Sequence, residues 1–221
     1  MAFVADLSTL PAAQLALWQE LGSTPKNFTL YGGTALTLHL AHRTSVDFDF
    51  FSNASFDPEE LARTVPYLKD AERVQVAPNI LTCRVERGAP ILVSFFGDLN
   101  LGLVAGREPV AGIDLYVASI LDIAGTKAAV VQKRAESKDY IDIDALLRHG
   151  IDLPTMLAAG VVVYGKQFNS VVTLKALSYF DDLPELPDEV KTRLSAAVAA
   201  VDATKVPVLT PYAKRREKGE S

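Results

Sequence analysis

The sequence predicts an α/β protein of the α+β kind, with a mixed β-sheet flanked by helices and a helical C-terminal region. Three observations carry this. Short β-prone runs are concentrated between Phe28 and Val117. The first two bracket a Gly-Gly turn and an apolar helical repeat, in the order strand, turn, helix, strand. From Ser119 onward the apolar residues recur at helical spacing almost to the end. Residues 1–117 are expected to form the sheet-bearing core, and residues 118–221 a helical region packed on it.

Element by element, Leu10–Leu21 carries apolar residues at Leu10, Leu15, Leu17, Trp18 and Leu21 and reads as an amphipathic helix, with Thr9 as an N-cap and Pro11 near the first turn. Phe28–Tyr31 is a short strand stopped by Gly32-Gly33, after which Thr34–Leu40 resumes at helical spacing. Val46–Phe51 is strongly β-prone. Phe56–Leu68 opens on Asp57-Pro58-Glu59-Glu60, acidic residues suited to a helix N-terminus. Further strands are expected at Arg73–Val76, Ile80–Glu86, Pro90–Phe96 and Ile113–Val117. Ser119 and Asp122 fit a capping box for a helix running to about Arg134. Later helices are expected near Lys138–Arg148, Leu153–Ala159, Gly165–Phe180 and Pro187–Val201, before a basic tail with Lys214, Arg215, Arg216 and Lys218.

Composition narrows the function classes. Hydrophobic residues make up 49% of the 221 residues and charged residues 22%, which suits a globular chain. A formal net charge of −5 gives no overall attraction for nucleic acid, so a polyanion would need a local basic surface. The single cysteine, Cys83, excludes an intrachain disulfide or a cysteine zinc cluster, and its apolar neighbourhood reads as core. The first ten residues do not read as a secretory signal, and no apolar run reaches the roughly 18 residues of a membrane span. A cytoplasmic protein with no membrane partner is the expectation.

The chemistry-bearing residues begin with Asp47 and Asp49. Two apart on a strand, they project from the same face while Phe48 and Phe50 project from the other. Adjacent carboxylates repel, and a divalent cation relieves them, although an exposed strand face gives the same pattern. Gly32-Gly33 lies between strand and helix, where missing side chains let backbone N–H groups approach a phosphate. Together the two features can hold a triphosphate and its magnesium. Arg43, in the link His42-Arg43-Thr44-Ser45, can brace the acidic pair, touch phosphate or stand in solvent. His39 and His42 read as structural. Lys127 falls on the apolar face of its helix between Ile123 and Val131, which calls for an acidic partner, a phosphate or a route to water. Asp139 and Asp142 share one side of the next helix, where acids commonly serve the helix dipole.

Taken together, Tyr31-Gly32-Gly33-Thr34-Ala35-Leu36 and His42-Arg43-Thr44-Ser45-Val46-Asp47-Phe48-Asp49-Phe50-Phe51 resemble the opening motif of the AbiEii/AbiGii toxin family of nucleotidyltransferases. Ser119–Lys127 and Lys138-Asp139-Tyr140-Ile141-Asp142 resemble that family's helical motifs, so the likeness spans roughly Phe28 to Leu147. It implies a minimal nucleotidyltransferase fold that transfers a nucleoside monophosphate from an NTP to an acceptor hydroxyl on RNA, such as tRNA, or on protein. The biological setting would be a bacterial toxin–antitoxin or abortive-infection system with a cognate antitoxin. By the same resemblance Asp47 and Asp49 hold magnesium, with two ions expected. Gly32, Gly33, Thr34, Arg43 and Lys127 serve the nucleotide, and Asp142 or Asp139 completes the acidic site, with Ser45 near it. The wider fold offers a third carboxylate from a neighbouring strand, and here the matching strand carries Ser94. That departure keeps a second reading open: a catalytically weak nucleotide- or antitoxin-binding protein on the same scaffold.

Overall fold

The computed structural model describes residues 2–202 and 205–215, so Arg216 and Lys218 of the basic tail lie outside the described residues. The chain divides into two compact units: Met1–Asn100 with Arg107–Ala118, and Leu101–Gly106 with Ser119–Ser221.

The first unit holds a seven-stranded mixed sheet in the order β3-β4-β5-β2-β1-β7-β6. Its strands are β1 (Thr29–Tyr31), β2 (Phe48–Phe51), β3 (Glu72–Ala77), β4 (Ile80–Glu86), β5 (Pro90–Phe96), β6 (Arg107–Pro109) and β7 (Tyr116–Ala118). β1 runs antiparallel to β2 and parallel to β7, β2 runs parallel to β5, and β3, β4 and β5 form an antiparallel meander. The apolar alternation of β2 does what its period demands. Phe48 and Phe50 are fully buried while Asp49 and Phe51 are part-exposed. In register beside them, Val93 and Phe95 of β5 share the buried face, and Phe50 stacks on Phe95 at 5.1 Å. Cys83 is buried on β4, and burial raises its thiol pKa, in keeping with a core residue.

Helix ends differ from expectation for local reasons. The helix α1 spans Ala12–Trp18 and continues as a 3-10 turn, Gln19–Ser23. Its N-cap is Pro11 without a side-chain bond, so Thr9 is not the cap. Helix α2 (Gly32–Leu40) starts on the first glycine, without a separate turn before it. The helix expected over Phe56–Leu68 is split into α3 (Pro58–Thr64) and a 3-10 turn, Pro66–Leu68. Asp57 caps α3 by accepting from the N–H groups of Glu59 and Glu60, and Val65, forced extended before Pro66, breaks it. Strand β6 has no apolar alternation, which hides it from the sequence. Its Arg107 lies 4.0 Å over the Tyr116 ring.

The second unit is helical: α4 (Ile120–Val130), α5 (Ser137–Arg148), α6 (Leu153–Tyr164), α7 (Ser170–Ala176) and α8 (Asp188–Ala199). Gly125 lets α4 press on α6, since a Cβ there would stand 2.8 Å from the Ala159 carbonyl carbon. Arg193 of α8 binds Asp144 of α5 through two bonds, 2.6 and 2.9 Å. Asp122 does more than a capping box requires. Its N–H donates to Ser119 Oγ as expected, but its carboxylate accepts from the Ser119 hydroxyl and from the N–H groups of Val104, Ala105 and Gly106. The Ser119 N–H turns to the Gly106 carbonyl instead. Near the C-terminus Ala213 bridges antiparallel to Leu103, and the Arg215 guanidinium donates to the Tyr164 carbonyl at the end of α6.

Candidate functional site

The site is built where β1 hands over to α2. Gly32 has φ +75°, the left-handed region that side chains disfavour, and a Cβ on it would collide with the Asp49 carboxylate. A Cβ on Gly33 would stand 2.6 Å from Arg43 Nη2 and 2.9 Å from Ser45 Oγ. The two bare α-carbons thus admit the carboxylate of Asp49, the guanidinium of Arg43 and the hydroxyl of Ser45 against the first turn of α2. The first four N–H groups of a helix have no partner within it, and a positive end of this kind favours an anion.

The link between α2 and β2 is pinned from the helix side. The Thr34 hydroxyl, 1% exposed, donates to the Asp47 carbonyl, and Thr37 Oγ1 donates to the Arg43 carbonyl at 3.1 Å. The left-handed Ala41 ends α2 with its N–H on the Thr37 carbonyl. Asp47 lies one residue before β2, outside the strand in which it was expected, and is part-exposed like Asp49. Thr34 therefore holds the backbone of Asp47 through its hydroxyl, which leaves its first-turn N–H as the group able to face a phosphate. His39 bonds the Ala118 carbonyl through Nε2 at 3.0 Å and packs on the Phe3 ring, a structural role.

Across the sheet Asp49 is flanked in register by Tyr31 of β1 and Ser94 of β5. Ser94 pairs in turn with Thr82 of β4, whose hydroxyl donates to Ser94 Oγ at 3.2 Å. The position beside Asp49 where a third carboxylate was sought holds a neutral hydroxyl pair. Among the described residues no group of three or more His, Cys, Asp or Glu is placed to hold a metal ion. The Asp49 carboxylate, set against a cradle that a Cβ would fill, nevertheless suits a magnesium-type cation, which takes one or two protein carboxylates and completes its shell with phosphate and water.

In the second unit Lys127, 6% exposed, meets the acidic partners its position called for. Its Nζ lies 3.0 Å from Asp139 Oδ1 and 2.5 Å from Asp142 Oδ2, and both aspartates are fully buried. Arg134 adds a bond of 2.8 Å from Nε to Asp139 Oδ2. The two aspartates are thus part of an ion cluster, beyond service to the dipole of α5. Sequence reading missed Arg134 and Thr82. Arg134 was expected at the end of a helix that the structure closes at Val130, and no pattern marked it as a partner of Asp139, whereas Thr82 could have been found by pairing β4 with β5 in register.

The chain matches the family described as nucleotidyl transferase AbiEii toxin, type IV TA system, over residues 16–95 and 90–211. It is 30% identical to an uncharacterized protein of Aquifex aeolicus over 162 residues, covering 72% of this chain and 76% of that one. Among solved structures it is similar to MenT4, a nucleotidyltransferase toxin of Mycobacterium tuberculosis, at 17% identity and a TM-score of 0.58 over 87% of this chain and 83% of that one. It is also similar to an antigenic nucleotidyltransferase-like protein of Paracoccidioides brasiliensis, at 17% identity and a TM-score of 0.51 over 91% and 96%. The solved structures share the fold, and the family match along most of the sequence settles the assignment: this chain belongs to the AbiEii nucleotidyl transferase toxin family.

Proposed function

We propose that this nucleotidyltransferase binds an NTP at the Gly32-Gly33 cradle and transfers its nucleoside monophosphate to an acceptor hydroxyl on RNA such as tRNA, or on protein. The observation that supports this most directly is the pair of bare α-carbons at the start of α2, where a Cβ on Gly32 would collide with the Asp49 carboxylate and one on Gly33 would crowd Arg43 and Ser45. In the reaction the acceptor oxygen forms a bond to the α-phosphorus, the bond to pyrophosphate breaks, and the acceptor proton is lost. Asp47 and Asp49 would hold the divalent cation, which when bound supplies charge stabilisation to the transferring phosphoryl group. Gly32, Gly33 and the Thr34 N–H orient phosphate oxygens, and Arg43 and Ser45 border them. Lys127 and Asp142 belong to the same proposal as residues required for transfer. No helix among the described residues is long and apolar enough to cross a membrane. We place the activity in the cytoplasm, with a cognate antitoxin as its counterpart.

Incubation of the purified protein with labelled NTPs, magnesium and total RNA should leave label in a macromolecule, sensitive either to ribonuclease or to protease. Nucleotide binding without any transfer would favour the second reading, a weakly catalytic nucleotide- or antitoxin-binding protein. The neutral Ser94 beside Asp49 is the observation that keeps this reading in view.

A further inference from the structure

The polar row on the site face of the sheet extends beyond the carboxylates. Tyr31, Asp49, Ser94 and Thr82 lie in register across β1, β2, β5 and β4. Neighbouring strands are about 4.8 Å apart, so the Ser94 backbone is the immediate neighbour of Asp49 on the side away from the glycine cradle. Ser94 and Thr82 are each 8% exposed, while Leu92 and Phe96 on the same face of β5 are more open. A buried hydroxyl pair is costly unless its hydrogen bonds are made. Thr82 makes one of them by donating to Ser94 Oγ, which leaves the Ser94 proton as the remaining donor of the pair.

We infer that Ser94 is a ligand-binding residue of the nucleotide site, donating its hydroxyl proton to a phosphate oxygen of the bound nucleotide, with Thr82 as the positioning residue that fixes the direction of that proton. The inference rests on the nucleotide reading of the Gly32–Asp49 cradle. Its physical basis is charge. A carboxylate beside Asp49 would add a further negative charge where a polyanion must settle, whereas a hydroxyl held as donor offers attraction without one. The cradle N–H groups and Ser94 then approach the anion from opposite sides of Asp49.

The test is equilibrium binding of a non-hydrolysable NTP analogue in magnesium buffer to the full chain and to Ser94→Ala, Ser94→Thr and Thr82→Val, with the melting temperature of each. Ser94→Ala should weaken binding roughly tenfold or more, the loss of one hydrogen bond to a charged group, and Ser94→Thr should restore most of it. Thr82→Val should weaken binding by a smaller factor, because it acts through Ser94. Ser94→Ala and Thr82→Val each leave one buried hydroxyl without its partner, and Ser94→Thr adds a methyl, so the ligand-free melting temperature should fall modestly in all three while the affinity pattern above decides the role. Wild-type affinity in Ser94→Ala, or a fall in melting temperature with affinity unchanged, would reduce the pair to a cross-strand sheet contact and overturn the inference while leaving the nucleotide reading intact. If the wild-type chain bound no NTP analogue, the nucleotide reading itself would fall, and this inference with it.

Discussion

Replacing Asp47 or Asp49 by Asn removes one charge while keeping size. Transfer should fall by several orders of magnitude while the melting temperature stays close to that of the wild type. Melting curves and labelled-NTP transfer on the same preparations check this, and retained transfer with lost stability would make the pair structural. Asp122 behaves in the opposite sense. As a cap alone it would contribute about 1 kcal/mol, but its buried carboxylate gathers three backbone N–H groups and a hydroxyl. With bonds to a charged acceptor at about 1.5–3 kcal/mol each, Asp122→Asn should cost about 3 kcal/mol or more by denaturant unfolding. A cost below about 1 kcal/mol would return it to the role of a cap. Lys127→Ala strands two buried carboxylates and should destabilise by about 3–5 kcal/mol, so its activity loss is interpretable only beside Lys127→Arg. These residues also show how far the site could be read from sequence. Asp47, Asp49 and the glycines stand out by short-range spacing in the sequence, although Asp47 falls just before β2 and the glycines open α2, whereas the partners of Asp122 lie 16 to 18 residues away in a loop with no periodic signal.

At the scale of elements, patterns of period 2 and 3.6 located nearly every strand and helix, and local chemistry moved their ends. Pro66 cut one expected helix in two, and β6 escaped because a three-residue Arg-Glu-Pro strand has no alternation to detect. The α4–α6 crossing depends on Gly125. Alanine there gains about 1 kcal/mol of helix propensity but places a methyl against the Ala159 backbone, and overpacking of that kind costs about 1–3 kcal/mol. Gly125→Ala should therefore lower the melting temperature, whereas an unchanged or higher value would show that α6 yields at little cost. Between the 3-10 turn Gln19–Ser23 and the β4–β5 turn, Arg87 grips Glu20 by two bonds of 2.6 Å. The Arg87 hydrogen bond holds the Glu20 carboxyl below its usual range, with burial opposing it. A depressed carboxylate contributes stability above its unfolded value of about 4.3 and loses it as pH falls through the folded value. Compared with Glu20→Gln, the wild type should lose melting temperature more steeply between about pH 5 and pH 3. The difference should be small because both side chains are about a third exposed or more, and parallel profiles would dismiss the link.

For the whole molecule, a ligand that binds only the folded chain must stabilise it. Magnesium with NTP at about a hundred times the dissociation constant should add about 2.7 kcal/mol, read as a rise in melting temperature that Asp49→Asn abolishes. Magnesium alone should do much less, because two carboxylates without phosphate make an incomplete shell. A full shift with magnesium alone would point to a cation site independent of nucleotide.

The sequence by itself determined the fold class, the family and the local unit of strand, glycines, helix and carboxylates, since these are written in short-range spacing that backbone geometry converts directly into faces and turns. Only the tertiary structure decided that Ser94, the position to which the resemblance already pointed, stands in register beside Asp49 and is backed by Thr82. It also decided that Thr34 holds the backbone of Asp47, that Lys127 is enclosed by Asp139 and Asp142, and that Asp122 organises residues 104–106. Each is a contact between segments distant in sequence or differently oriented, fixed by strand register and helix packing rather than by any local pattern.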